Sequence, residues 1–519
     1  MHLSGRYAHD KRRIDLQLWG VLCLDKPREA LLRTELLSSL DENVSRFRAL
    51  LSDSVNADAQ FRFIFCSGAR LCVVYIEGMA DDKKINDFIL RACVRHQAAP
   101  GTRIDASYLL GNVLEIAQCE REQRVFRILA SLVTGMTAIL IDGSEEAILL
   151  ETRGYPARQV NRTTNESVVI GAQEGFVESL RTNMTLMRRY VPSPNLITER
   201  ISVGSVVPIQ MVLVYLRDVA DEAVVDAVRR RLKGVDARTV QGLGAIQQHI
   251  EDQPWALLPQ MLQTERPDRA ASCVMDGQVA MLAENSPYAL IAPITLFHQL
   301  HASDDSFSRW QYGTFLRLIR IVGMLISVLL PGLYIALTDY HMHLLPLSLL
   351  GSIAEARANV PFPIVIEILI MEFSFYLINE AGTRIPQQIG SALGIVGALI
   401  LGQAAVSASI ISPILIIIVA ITGLGNYAIP DYGFGIGLVI CRLFVIACGA
   451  SFGLYGFCLA AFVLSVSLCG MKSFGFPYMA PVAPARPHNP DLLVRLPIWL
   501  QRKAMYFAAR RRHVENQKG

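Results

Sequence analysis

Charge is spread along this 519-residue chain in a way that leaves few architectures open: residues 1–316 hold 73 charged side chains, residues 317–471 hold 11, and the last 48 hold 11 more. A middle stretch so poor in charge cannot present an ordinary aqueous surface, whereas the first 316 residues can. The same division accounts for a hydrophobic content of 52% and a mean hydropathy of +0.34, both high for a protein living wholly in water. The chain is therefore expected to join an α/β soluble N-terminal half, made of two small α/β domains, to a polytopic α-helical membrane domain.

Net charge by region is −3, −1 and +7 in chain order, so the positive excess sits in the tail and bulk nucleic-acid binding is not expected. Ten cysteines occur without a CxxC pair or regular spacing, which argues against a disulfide framework. Asp10, Lys11, Arg12, Arg13 and Asp15 interrupt any secretory apolar core, so the soluble half is expected in the cytosol. After the last apolar run, Pro477, Pro481, Pro484, Pro487 and Pro490 lead to Arg502, Lys503, Arg510, Arg511 and Arg512. The positive-inside rule puts this tail in the cytosol too. Two ends on one side require an even number of crossings. Apolar runs near 317–338, 362–380, 389–409, 411–428, 434–453 and 454–471 supply six, and four is the competing count if 411–428 is re-entrant, or one of the last two runs lies along the interface, and one other run fails to cross.

In the soluble half, residues 61–77 read as two strands about Ser67-Gly68, followed by a helix from Asp81 to His96 with Ile85, Phe88, Ile89 and Cys93 on one face. A similar hairpin is expected over Thr137–Asp142 and Glu146–Thr152, preceded by a helix at 122–134. A third is expected over Cys273–Leu282, turning on Asp276-Gly277. Leu31, Leu32, Leu36 and Leu37 suggest a packed helix near the start. The expected organisation is an extension at 1–45, α/β domains at 46–120 and 121–316, a membrane domain of about six helices at 317–471, and a tail at 472–519.

Few motifs survive their context. Gly449-Ala450-Ser451-Phe452-Gly453 matches the GxSxG nucleophile elbow, but it lies between two membrane-length runs where a strand-to-helix turn is required. A glycine-rich bend or helix contact fits better. His341-x-His343 beside Asp339 lacks further ligands at suitable spacing, so no metal site and no cofactor are expected. There is no phosphate loop, and Gly433-x-Gly435-x-Gly437 opens an apolar segment instead of following a strand. Without a catalytic constellation the chain does not read as an enzyme.

The membrane half says more. Segment 389–409 is built of small residues, among them Gly390, Ser391, Gly394, Gly397, Ala398, Gly402, Ala405 and Ser409, with Gln403 as its large polar side chain. Lipid gives such a face no reward, so it either packs closely against other helices or lines a space. Glu367 and Glu372 lie inside the preceding run, Glu380 and Arg384 at its end, and Arg442 inside a later one. Each costs roughly 2.5–3.5 kcal/mol to place in a bilayer, so each should face protein or water. At 100° per residue Glu367 and Glu372 point about 140° apart, which weakens a relay along one face and leaves pairing of either with Arg442 or Arg384 as the alternative. Pro361-Phe362-Pro363 breaks the chain before this helix and forms a rigid corner suited to coupling.

Several segments together resemble the A subunits of GerA-type spore germinant receptors. They are the run from Glu174, Gly175 and Phe176 through Arg181 to Asn183; Thr264, Glu265, Arg266, Pro267 and Asp268; Pro361-Phe362-Pro363 with Glu367; and Ile385 to Gly390 running into Gly397-Ala398. The likeness covers roughly 45–490. Departures fall at Gly171-Ala172-Gln173, where the family usually has Gly-Pro, at the Thr163–Glu166 region, and in the first domain and the tail. The resemblance implies a membrane domain that assembles into a ring, passing ions out of the spore core when a nutrient is sensed. It also implies work beside a transporter-like B subunit and a lipoprotein C subunit in the spore inner membrane. On this reading 389–409 lines a homo-oligomeric channel, Pro361-Phe362-Pro363 moves it, and Glu174, Phe176, Arg181, Arg266 and Asp268 organise contacts of the second soluble domain or simply cap its turns. The rivals are a secondary transporter, for which no repeated halves with broken helices are visible in the membrane half, and a non-conducting scaffold.

Overall fold

Ser67 and Gly68 both take positive φ (45° and 90°), the geometry a two-residue hairpin demands, and they join β1 (Ala59–Cys66) to β2 (Ala69–Ile76) in antiparallel register from Ala59↔Ile76 to Cys66↔Ala69. This is a computed structural model, and it describes residues 26–99, 102–154, 163, 166, 168, 171–236, 242–384, 402–485, 494–497 and 499. β2 continues into a sheet of order β1-β2-β4-β5-β3, with β3 at Cys119–Glu122, β4 at Thr137–Ile141 and β5 at Ala147–Leu150. Helices α1 (Leu40–Leu51) and α2 (Val125–Val133) cover one face, burying Phe47, Leu51 and Leu132 against Cys72, Val74 and Leu140. Ile85, Ile89, Cys93 and Leu109 cover the other against Leu71, Val73 and Ile139.

The expected division at residue 120 is overturned by this sheet. β3 and β5 exchange ladder bonds from Cys119↔Leu150 to Glu122↔Ala147, and β4 pairs with β2, so cutting there would leave three strands without their sheet. The boundary at residue 45 fails likewise, because it cuts α1, and Leu32, Leu36 and Leu40 ahead of it belong to the same core.

A second sheet repeats the first. It has the order β6-β7-β9-β10-β8, with β6 at Leu196–Val203, β7 at Ile209–Leu216, β8 at Leu262–Thr264, β9 at Val279–Ala283 and β10 at Ala289–Ala292. Helices α3 (Leu180–Tyr190) and α4 (Pro267–Met275) stand where α1 and α2 stand in the first. The likeness reaches single side chains. Asn43 donates to Leu37 O (2.6 Å) and accepts from Leu37 N–H (3.0 Å); Asn183 does the same with Val177 (2.6 and 2.9 Å). Asp142 receives the N–H of Leu40 and Glu284 that of Leu180, each at 3.3 Å. The hairpin expected over Cys273–Leu282 is corrected by the same repeat: Cys273 lies in the last turn of α4, Gly277 (φ 97°) serves that helix C-terminus, and the β9–β10 turn contains Asn285 (φ 60°).

Asp252–Leu262 and Ile294–Ala504 form a second compact unit. Its described helices are α5 (Trp310–Ile335), α6 (Leu347–Arg357), α7 (Ile364–Arg384), α8 (Pro413–Tyr427) and α9 (Tyr432–Gly470). The segments Trp310–Tyr340 and Tyr432–Gly470 are long and apolar enough to cross a bilayer. α9 doubles back at Gly453 (φ 60°, ψ −136°): Leu438 and Leu468, which a straight helix would hold about 45 Å apart, line one cavity. Its two arms match the expected runs 434–453 and 454–471. Backbones approach closely at Gly332 and Gly449, where a Cβ on Gly449 would stand 2.8 Å from Gly332 O, so glycine is needed there for contact rather than chemistry.

Candidate functional site

Among the buried charge clusters of the second unit, which include Asp305 with Arg317 and Arg320, two involve the glutamates of α7. In the first, Arg442 of α9, 1% exposed, meets Glu372 of α7, 3% exposed, at 3.0 Å. Its guanidinium also donates to the Tyr376 hydroxyl (2.8 Å) and to Ser327 O (3.4 Å). Three helices thus converge on one cation, and removing either member of a pair buried this deeply costs about 3–5 kcal/mol. In the second, Glu367, 1% exposed, faces Arg357 at 3.3 Å and accepts the Ser412 N–H at 3.0 Å. Arg357 closes the α6–α7 corner, donating to Phe362 O (3.4 Å) and standing 3.9 Å from Asp339.

The two glutamates therefore have separate partners. Glu372 takes Arg442, one of the expected pairings. Glu367 takes Arg357, a residue the sequence reading did not single out because it falls between apolar runs and not inside one. Pro361, Phe362 and Pro363 are exposed at the corner, with Phe362 bound through its carbonyl. Glu380 is exposed on α7, and the side chain of Arg384 lies outside the described residues.

Of the small-residue segment, Gly390, Ser391, Gly394, Gly397 and Ala398 lie outside the described residues. The remainder is helical from Gly402 and ends at Ser409 (φ 53°). Gly402 is buried and Ala405 packs on the Ile368, Ile411 and Leu415 cluster, while Gln403, Ala404, Ser407 and Ala408 are exposed.

In the soluble half the expected motif residues gather around Arg266, which is fully buried at the start of α4. It holds Asp268 through two contacts (3.1 and 2.8 Å) and donates to Glu166 O (3.1 Å) and Ala172 O (2.7 Å). Glu265 accepts the Glu166 N–H (2.6 Å), its carbonyl receives the Phe176 N–H (2.7 Å), and Pro267 occupies the first helical turn, where no N–H is needed. Burial pushes the Glu166 carboxyl above the usual range, against the opposing pull of Arg269 at 3.1 Å. Glu174 pairs with Arg189 at 3.2 Å, Gly175 is buried beside Phe176, and Arg181 reaches Asp82 (2.5 Å) and Glu77 (3.5 Å) in the first repeat.

Arg188 was missed altogether. It is 1% exposed, grips both carboxylate oxygens of Asp58 at 2.8 Å and bonds Asn56 Oδ1 at 3.1 Å, while Asn56 Oδ1 also accepts from Thr198 N (2.9 Å). This network fastens the repeats to each other. A single arginine in a helical pattern carries no sign of a partner some 130 residues away.

Comparison with known proteins adds the following. Residues 45–506 match the sequence model of the Bacillus/Clostridium GerA spore germination protein. Spore germination protein KA of Bacillus subtilis (strain 168) is 36% identical over 83% of this chain and 80% of its own length. Spore germination protein B1 of the same organism is 33% identical over 90% of this chain and 96% of its own. The N-terminal domain of the A subunit of the Bacillus megaterium spore germinant receptor GerK3 is similar at a TM-score of 0.41 and 25% identity, covering 50% of this chain and 97% of that domain.

Proposed function

Because this chain belongs to the Bacillus/Clostridium GerA spore germination protein family, we propose that it is the membrane A subunit of a germinant receptor and that several copies surround an ion pathway which opens when a nutrient is sensed. The observation carrying this reading is the outward face of the helix from Gly402: Gln403 and Ser407, one turn apart, are exposed together with Ala404 and Ala408, while Gly402 and Ala405 pack inward. A glutamine and a serine turned from the subunit's own core are poor company for acyl chains and suit either a second copy or a watery lumen. The Arg357–Glu367 corner then links the α6–α7 turn to Ser412, immediately after this helix. The proposal places the protein in the spore inner membrane with both ends cytosolic and six crossings, beside a transporter-like B subunit and a lipoprotein C subunit.

Ala398→Leu or Ser407→Leu should abolish or strongly slow ion release during germination while the protein still reaches the membrane. Normal germination and ion release in both variants would remove this helix from the pathway.

A further inference from the structure

The second unit also holds an apolar cavity of about 240 Å³ that the charge clusters do not use. Val328 of α5, Leu438 of the first arm of α9 and Leu464 and Leu468 of the second line it, together with Trp255 and Leu258 of the loop at 252–262. That loop is seated firmly, since a Cβ on Gly437 would lie 2.6 Å from Leu257 O. Ser465, also in the lining, donates its hydroxyl to Ala461 O at 2.8 Å and so offers little to a water. Trp255 itself is 97% exposed. Lys472, exposed, directly follows the lining residue Met471.

We propose that this cavity holds one acyl chain of an anionic phospholipid, with Trp255 at headgroup depth and Lys472 facing the phosphate. Three features argue for this occupant. The walls are mostly hydrocarbon between helices of membrane-crossing length, so a lipid tail reaches them without leaving its own phase. An indole exposed beside such helices has the amphipathic character of the aromatic belt. The lysine supplies charge complementarity for a phosphodiester. The inference rests on the membrane reading of this unit and not on ion conduction.

The test uses the full-length chain in mild detergent, offered equal amounts of phosphatidylglycerol and phosphatidylcholine, with retained lipid read by native mass spectrometry. The unmodified chain should retain a phosphatidylglycerol molecule, and Ser465→Phe, which fills the cavity from an exposed position, should retain none. Lys472→Gln should still hold lipid but lose roughly fivefold of its preference for phosphatidylglycerol. Equal retention by Ser465→Phe, or undiminished preference in Lys472→Gln, overturns the proposal, as does a folded unmodified chain that keeps no lipid. If Ser465→Phe does not fold, the Lys472→Gln comparison decides alone. A chain that holds lipid but passes no ions would sink the channel reading and leave this one standing.

Discussion

The two soluble repeats share a sheet order, a pair of covering helices and an asparagine lock, yet they differ at one helix start. Where the second repeat has Arg266, Pro267 and Asp268, the first has Arg124, Val125 and Phe126, aligned by matching backbone bonds from Leu36 N to Gln123 O (2.8 Å) and from Phe176 N to Glu265 O (2.7 Å). Arg124 is exposed and Arg266 is fully buried. The first repeat is thus an internal control: this architecture forms with an apolar residue where the second places a carboxylate. Buried Arg266, held by Asp268, serves the chain around Glu166 and Ala172, not the sheet itself.

The largest expected effect breaks the comparison on its unequal side. Arg266→Ala takes the buried guanidinium away from the partly buried Asp268 and from the Glu166 and Ala172 carbonyls and should destabilise the second repeat by about 2–3 kcal/mol, whereas Arg124→Ala should cost less than about 0.5 kcal/mol. Hydrogen exchange of β9 against β4 in the same molecule measures both. Equal loss of protection in the two variants would show that the pair is needed by the fold after all.

A smaller effect tests the equal side. Asn43→Ala and Asn183→Ala each remove two hydrogen bonds to a buried backbone, at a cost of about 2 kcal/mol apiece. Similar losses of protection in α1 and α3 are expected, and an insensitive Asn43 would make the shared lock decorative.

The smallest effect concerns pH. Because burial raises the Glu166 carboxyl above its ordinary range, the folded chain binds more protons there than the unfolded chain between the two pKa values. Stability from this group therefore falls as pH rises through that window and returns on acidification. Glu166→Gln should flatten this slope in exchange measured at successive pH values around the second repeat, with Glu265, Arg266 and Arg269 left in place.

Much of this was legible beforehand, for identifiable reasons. The Ser67-Gly68 hairpin, the helix over 81–96 and the Gly453 bend are local, written in turn residues and periodicity. The Arg442–Glu372 pair was open to sequence reasoning because ionisable groups in apolar runs must find each other. The repeat was hidden by divergence, although Ser39-Leu40-x-x-Asn43 against Ser179-Leu180-x-x-Asn183, and Tyr75 to Asp82 against Tyr215 to Glu222, hold a constant offset. Overlooking it misplaced the boundary at residue 120. Gly277 misled because a glycine at positive φ ends helices as readily as it turns hairpins. Arg188 was invisible because a partner some 130 residues away leaves no local mark, and Arg357 because it lies between the apolar runs and not inside one.

The Arg188–Asp58–Asn56 network has one more implication. Lobes riveted by a bidentate ion pair that water does not reach cannot yawn open like a clamshell around a guest. Mutations meant to loosen one repeat from the other should therefore start with this rivet.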